Sequence, residues 1–218
     1  MLKYHAVVLV LTLLVLPTAG VYAESITVSV DGASGPWDTT INPSYPYGIP
    51  VNGTPNVNLG PTVVSTTSGL AMTPGDALTI SWLSGNVCGG ASGTAWTNGA
   101  NGDAAWGIYY SPNDASSTPA YYAPSDQFPI VFMQLIGVFG DSAGVIVGNP
   151  FRLGNDPVTV SIPSGSSQLQ LGFVDGWYND NFATLQVSVT EAVPEPSALV
   201  LLGIALISLL AYRGRRTA

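Results

Sequence analysis

The apolar residues of this chain alternate, and that constrains its fold more than any other feature. Ile26, Val28 and Val30 fall on one side of an extended run, as do Leu78, Ile80 and Trp82, then Leu169, Leu171 and Phe173, then Leu185, Val187 and Val189. Period two with one apolar face is the pattern of half-buried antiparallel strands, and no stretch keeps a helical period. Further strands are expected at residues 106–110, 130–139, 144–147, 151–153 and 158–162. Short strands separated by Gly- and Pro-rich turns predict an all-β fold, an antiparallel, jelly-roll-like β-sandwich. Three connections, 32–61, 85–105 and 111–129, are too long for simple hairpins, and loops of that length are functional or mobile.

Both ends of the chain leave this pattern. Lys3, the apolar run 6–16 and the small-residue exit Val21-Tyr22-Ala23 have the three parts of a secretory signal, removed after Ala23. At the other end Val193-Pro194-Glu195-Pro196-Ser197 precedes an uncharged run over 198–212, closed by Arg213, Arg215 and Arg216. As a helix the run would rise about 22 Å, the short limit for a membrane span, with snorkelling arginines closing the gap. Arginines beyond the run favour the cytoplasmic side and put the bulk of the chain outside the inner membrane. The expected layout is a signal peptide over 1–23, an ectodomain over 24–192 and a tail over 193–218.

The tail resembles the PEP-CTERM proteins of Gram-negative bacteria. The resemblance lies in Val193, Pro194, Glu195 and Pro196, the apolar run and the arginines that follow it, and it covers the tail alone. It implies recognition by an exosortase, transient anchoring by a C-terminal transmembrane helix, a cut near the motif, and delivery to the cell surface or extracellular matrix. Such a tail is an address and is silent on what the domain does.

Composition narrows the domain's chemistry. Residues 24–192 hold twelve Asp and Glu against one cation, Arg152, a formal net charge of -11. Nucleic acid is excluded as a partner, since phosphate binding needs clustered Lys and Arg. His5 and Lys3 are the only residues of their types and leave with the signal. That removes histidine bases, Ser-His-Asp and Cys-His systems, histidine-held metals and Schiff-base lysines, so no enzyme is expected. Cys88 is alone, which rules out an intramolecular disulfide; it reads as a buried or incidental thiol. Arg152 could pair with Asp156 or Asp141, or meet an acidic sugar. Asn52-Gly53-Thr54 matches a glycosylation sequon and also reads as a turn.

The segment 171–181 carries the most chemistry. Asp175, Asn179, Asp180 and Asn181 supply two carboxylates and two amides within one loop. These are the hard oxygen ligands Ca²⁺ takes, and equally the ordinary residues of a tight turn. Trp177 and Tyr178 lie among them, and Trp37, Tyr45, Tyr47, Trp96, Tyr121 and Tyr122 sit on the long loops. Loop aromatics either stack on sugar rings, as expected here for Trp177, Tyr178, Trp96, Tyr121 and Tyr122, or pack their loops onto a sheet.

A second resemblance is to the PA-I-type galactophilic lectins and their galactose-binding-like relatives. It rests on Trp37-Asp38-Thr39-Thr40, the run 70–80, Leu135-Ile136-Gly137, and 171–175 ending in Asp180-Asn181. It implies a Ca²⁺ held by Asp175, Asp180 and Asn181 with a backbone carbonyl from residues 84–90, the sugar's hydroxyls completing the shell. The chain departs from that pattern at Val174, where the family has Asn, at Phe182-Ala183, where it has Ser-Gly, and in lacking the galactose-contacting His. The expected function is a calcium-dependent, lectin-like domain on exopolysaccharide glycans; the alternative is a structural matrix component without a specific ligand. An enzyme would have to use Asp175 and Asp180 as its acid and base.

Overall fold

In the computed structural model, residues 23–48, 59–90 and 95–192 are described. Residues 1–22 of the expected signal peptide, the sequon at 52–54 and the whole sorting tail, with its expected transmembrane helix, lie outside them. The strands are β1 (Ser25–Asp31), β2 (Thr62–Ser65), β3 (Ala77–Gly89), β4 (Ala95–Trp96), β5 (Ile108–Tyr109), β6 (Ile130–Val131), β7 (Leu135–Gly140), β8 (Ile146–Arg152), β9 (Val158–Ser161), β10 (Gln168–Phe173) and β11 (Phe182–Ala192). Among the described residues there is no α-helix, only short 3₁₀ turns, and no helix long and apolar enough to cross a membrane. The fold is all-β.

Two antiparallel sheets carry it. One runs β1-β11-β3-β4, with β9 also paired to β3, and the other runs β2-β10-β7-β8. The alternation read from the sequence does its work in the register: Ile26, Val28 and Val30 face Val189, Val187 and Leu185 across the β1–β11 pair. These residues share a buried cluster with Leu78 and Ile80 of the same sheet and with Val64, Leu135, Phe139, Leu169, Leu171 and Phe173 of the other. Burying each such side chain contributes about 1.5–3 kcal/mol.

β7 is buried at every position. Leu135 and Phe139 enter the shared cluster, whereas Ile136 and Val138 point the other way, into a second cluster with Trp37, Ala115, Ala120, Ile130 and Val174. The 32–48 and 111–129 loops therefore cover the back of the four-stranded sheet. Both clusters lie between Val30 and Val189, so residues 24–192 hold the whole described core.

Several expected boundaries move. The run 130–139 breaks at Met133, whose φ of 55° turns the chain between β6 and β7. The segments 144–147 and 151–153 belong to one strand, β8, which passes through Pro150. β8 pairs only with β7 and is an edge strand, where a missing N–H is tolerated. β3 continues to Gly89, so residues 85–89 are strand and not loop. Gly85 lets it do so: its φ is 90°, and a Cβ there would run into the Thr184 carbonyl. β2 and β4 were not expected, the first having only Val63 and Val64 as apolar residues and the second being two residues long.

Candidate functional site

The connection from β10 to β11 is built from its own side chains. β10 ends against the turn at Met133, whose N–H donates to Val174 O (2.7 Å), while Val174 N–H donates to Gln134 O (3.0 Å). Tyr178 is fully buried; its hydroxyl donates to Phe173 O (2.7 Å) and accepts from Asp175 N–H (3.4 Å), and its ring lies 5.6 Å from that of Tyr47. Asp175 is 5% exposed. Its Oδ1 accepts from Gly176 N–H (2.6 Å) and Trp177 N–H (3.0 Å), and its Oδ2 from Asn181 Nδ2 (2.8 Å). Asn181 Nδ2 also reaches Gly32 O at 3.2 Å. These bonds close the loop across six residues of chain.

Two features of this loop go beyond a turn. Burial raises the Asp175 carboxyl from 3.8 to about 6, against the pull of the Trp177, Asn181 and Gly176 donors, and the neighbouring Asp180 charge adds to the rise. The Asn181 Oδ1 atom is buried and takes no hydrogen bond, a condition that costs about 1–3 kcal/mol. Asp180 is half-buried on the Tyr178–Asp180 turn. Phe182, the first residue of β11, stands opposite Cys88, so the loop meets the end of β3 within residues 84–90. Cys88 itself is buried, and burial pushes its thiol up. Among the described residues no three His, Cys, Asp or Glu gather as a metal group. Two carboxylates and an amide oxygen are what this loop offers a cation.

Above the loop lies a cleft of about 440 Å³. One wall is Asp175, Gly176 and Trp177; the other comes from the β5–β6 ribbon, the residues flanking it and the connection between its strands, with Trp106, Tyr109 and Phe132 as rings and Asp114, Ser116, Ser117 and Thr118 as polar groups. Trp106 stacks on Phe132 at 6.2 Å and 28°. Asp114 Oδ2 accepts from Tyr110 N–H at 3.2 Å. Burial, then the Asp175 charge, raises the Tyr109 hydroxyl, which keeps it a donor.

Of the ring residues expected at a ligand, Trp177 lines this cleft and is 38% exposed. Tyr178 is core and offers no face. Tyr122 packs with Tyr45 and the buried Trp37, ring centroids 5.1 and 5.8 Å away, and donates to Pro46 O. Tyr47, 5.2 Å from Trp37, donates to Trp37 O. Those four pin loops to the sheet. Tyr121 is half-exposed, edge-on to Tyr122, and Trp96 is edge-on to Phe182; neither lines the cleft. Arg152 pairs with neither Asp156 nor Asp141 among the described residues; its Nη1 donates to Pro129 O at 3.0 Å.

Trp106, Tyr109, Asp114, Ser116, Ser117, Thr118 and Phe132 were not singled out by sequence reasoning. The one signal for Asp114, Ser116, Ser117 and Thr118 was the length of the 111–129 connection; Trp106, Tyr109 and Phe132 fell in the expected strands 106–110 and 130–139.

The fold and the site define an all-β protein with an acidic, aromatic-lined cleft. Residues 192–216 match the PEP-CTERM protein-sorting motif, which implies export and sorting to the cell surface by an exosortase. No curated protein and no solved structure matches the chain. The lectin resemblance therefore stands on its quoted residues alone.

Proposed function

We propose that this exported protein binds carbohydrate through a β-sandwich ectodomain, in the cleft above Asp175, and that Ca²⁺ supports the binding. The observation that carries the reading is the lining of the cleft. A sugar ring has apolar C–H faces and polar hydroxyl edges, and the cleft sets Trp106, Tyr109 and Trp177 beside Asp114, Ser116, Ser117 and Thr118. Its volume suits one or two sugar units. At the cell surface or in the extracellular matrix, exopolysaccharide is the abundant ligand of that chemistry, and no catalytic role is proposed.

Calcium is supported by the orphaned Asn181 Oδ1 beside the Asp175 and Asp180 carboxylates. A hard cation would satisfy that oxygen and hold Asp175 ionised. Asp175, Asp180 and Asn181 would be its side-chain ligands, with a backbone carbonyl from residues 84–90, whose Cys88 pairs with Phe182 next to Asn181. The test is glycan-array binding of residues 24–192 with Ca²⁺ and after chelation. Saturable binding that falls on chelation is expected; binding indifferent to chelation sinks the calcium role, and no saturable binding sinks the carbohydrate reading.

A second reading has one observation in its favour. Asp175 is already bonded by three donors, so the loop closes without an ion. In that case the domain is a structural component of the exopolysaccharide or biofilm matrix with no specific ligand.

A further inference from the structure

We propose that the cleft takes a cationic amino sugar, a hexosamine whose nitrogen is unacetylated, with its ammonium held by Asp114 against the Trp106 and Trp177 rings. The proposal rests on the carbohydrate reading and names the sugar's class. Every charged residue lining the cleft is acidic, and no Lys or Arg lines it. Asp175 is committed to its loop, whereas Asp114 is exposed. Indole faces attract ammonium groups through their quadrupole, and a carboxylate alongside adds a charge-assisted hydrogen bond.

The wider field has the same sign. Residues 24–192 carry a formal -11, so the surface draws cationic ligands in and repels uronates. The one described cation, Arg152, lines a different cleft. N-acetylation would remove the ligand's charge and leave Asp114 a single neutral amide N–H, with an acetyl group to accommodate, in place of an ammonium. A uronate would bring a like charge against Asp114, which no Lys or Arg of the cleft compensates.

The experiment compares binding of residues 24–192 to glucosamine oligomers and to N-acetylglucosamine oligomers of equal length by titration calorimetry, at low and high salt. The expected preference is about tenfold or more for glucosamine at low ionic strength, shrinking as salt screens the pair. Asp114→Asn should abolish the preference. Asp126→Asn, which makes the same change in net charge outside the cleft, should keep it. If Asp114→Asn does not fold, the salt series on the native domain still decides. Equal binding or a preference for the acetylated oligomer overturns the proposal and leaves the carbohydrate reading intact. Equal loss in both variants overturns it as general attraction to an acidic surface. No saturable binding of any glycan brings down the carbohydrate reading itself.

Discussion

Raising the pH from about 4 to above 6 should destabilise calcium-free residues 24–192, and Asp175 is the reason. The fold holds its carboxyl at about 6, against an ordinary 3.8. Unfolding returns it to the ordinary value, so between those limits the native state binds more protons than the unfolded one. The protonated carboxyl's contribution is fully present below about pH 4 and is lost as pH rises through about 6. A gap of about two units at about 1.4 kcal/mol each makes the loss about 3 kcal/mol. The geometry gives the neutral form a partner: once Oδ2 carries a proton it can donate to the orphaned Asn181 Oδ1 after that amide turns over. Asp175→Asn imitates this state at every pH. Urea melts of both proteins in chelator at pH 4.5, 5.5, 6.5 and 7.5 separate this term from other carboxylates, since only the difference between them belongs to Asp175. The native protein should lose about 2 kcal/mol relative to the variant between pH 4.5 and 7.5, the remaining part of the loss falling below pH 4.5. Added Ca²⁺, which favours the ionised carboxylate, should recover stability at pH 7.5 in the native protein alone. A difference that stays flat, or that grows in the opposite direction, refutes the reasoning.

Other substitutions probe the frame around the loop. Ala183 has a left-handed φ of 69°, so Ala183→Gly should stabilise by about 0.5–1 kcal/mol in thermal melts, the relief of strain exceeding the added chain entropy. Tyr178→Phe removes the donor to Phe173 O in a fully buried site and should cost about 1–2 kcal/mol in urea melts. Gly172→Ala drives a Cβ into the Gly35–Pro36 backbone; it should lower stability by about 1–3 kcal/mol or block folding, read from expression and the melt.

The parts of the fold that were legible are those with period two. Val28 and Val187 announce their strands because each has apolar neighbours two residues away, and their pairing follows from burial of one face. Asp175, Asp180 and Asn181 were also legible as a unit, being close in sequence. The cleft was not. Its walls meet because Ile108 pairs with Val131 and Tyr109 with Ile130 in a two-residue ribbon, too short to show any period. Met133 then turns the chain so that Phe132 joins Trp106, and nothing in a methionine signals a left-handed residue. The role of Tyr178 was hidden for a related reason, since a loop tyrosine looks the same in sequence whether it faces a ligand or fills the core. Ala183 is the reverse case: the Gly of the resembled family fits the backbone found there, and the departure from it now reads as strain.

Carbohydrate binding above Asp175 can be located by mapping amide chemical shifts of residues 24–192 during titration with a glycan that binds. Binding in the cleft gives saturable shifts concentrated at Tyr109, Asp114 to Thr118, Phe132 and Asp175 to Trp177. Shifts confined to another face, such as the Trp96–Phe182 surface or the Arg152 cleft, would contradict it.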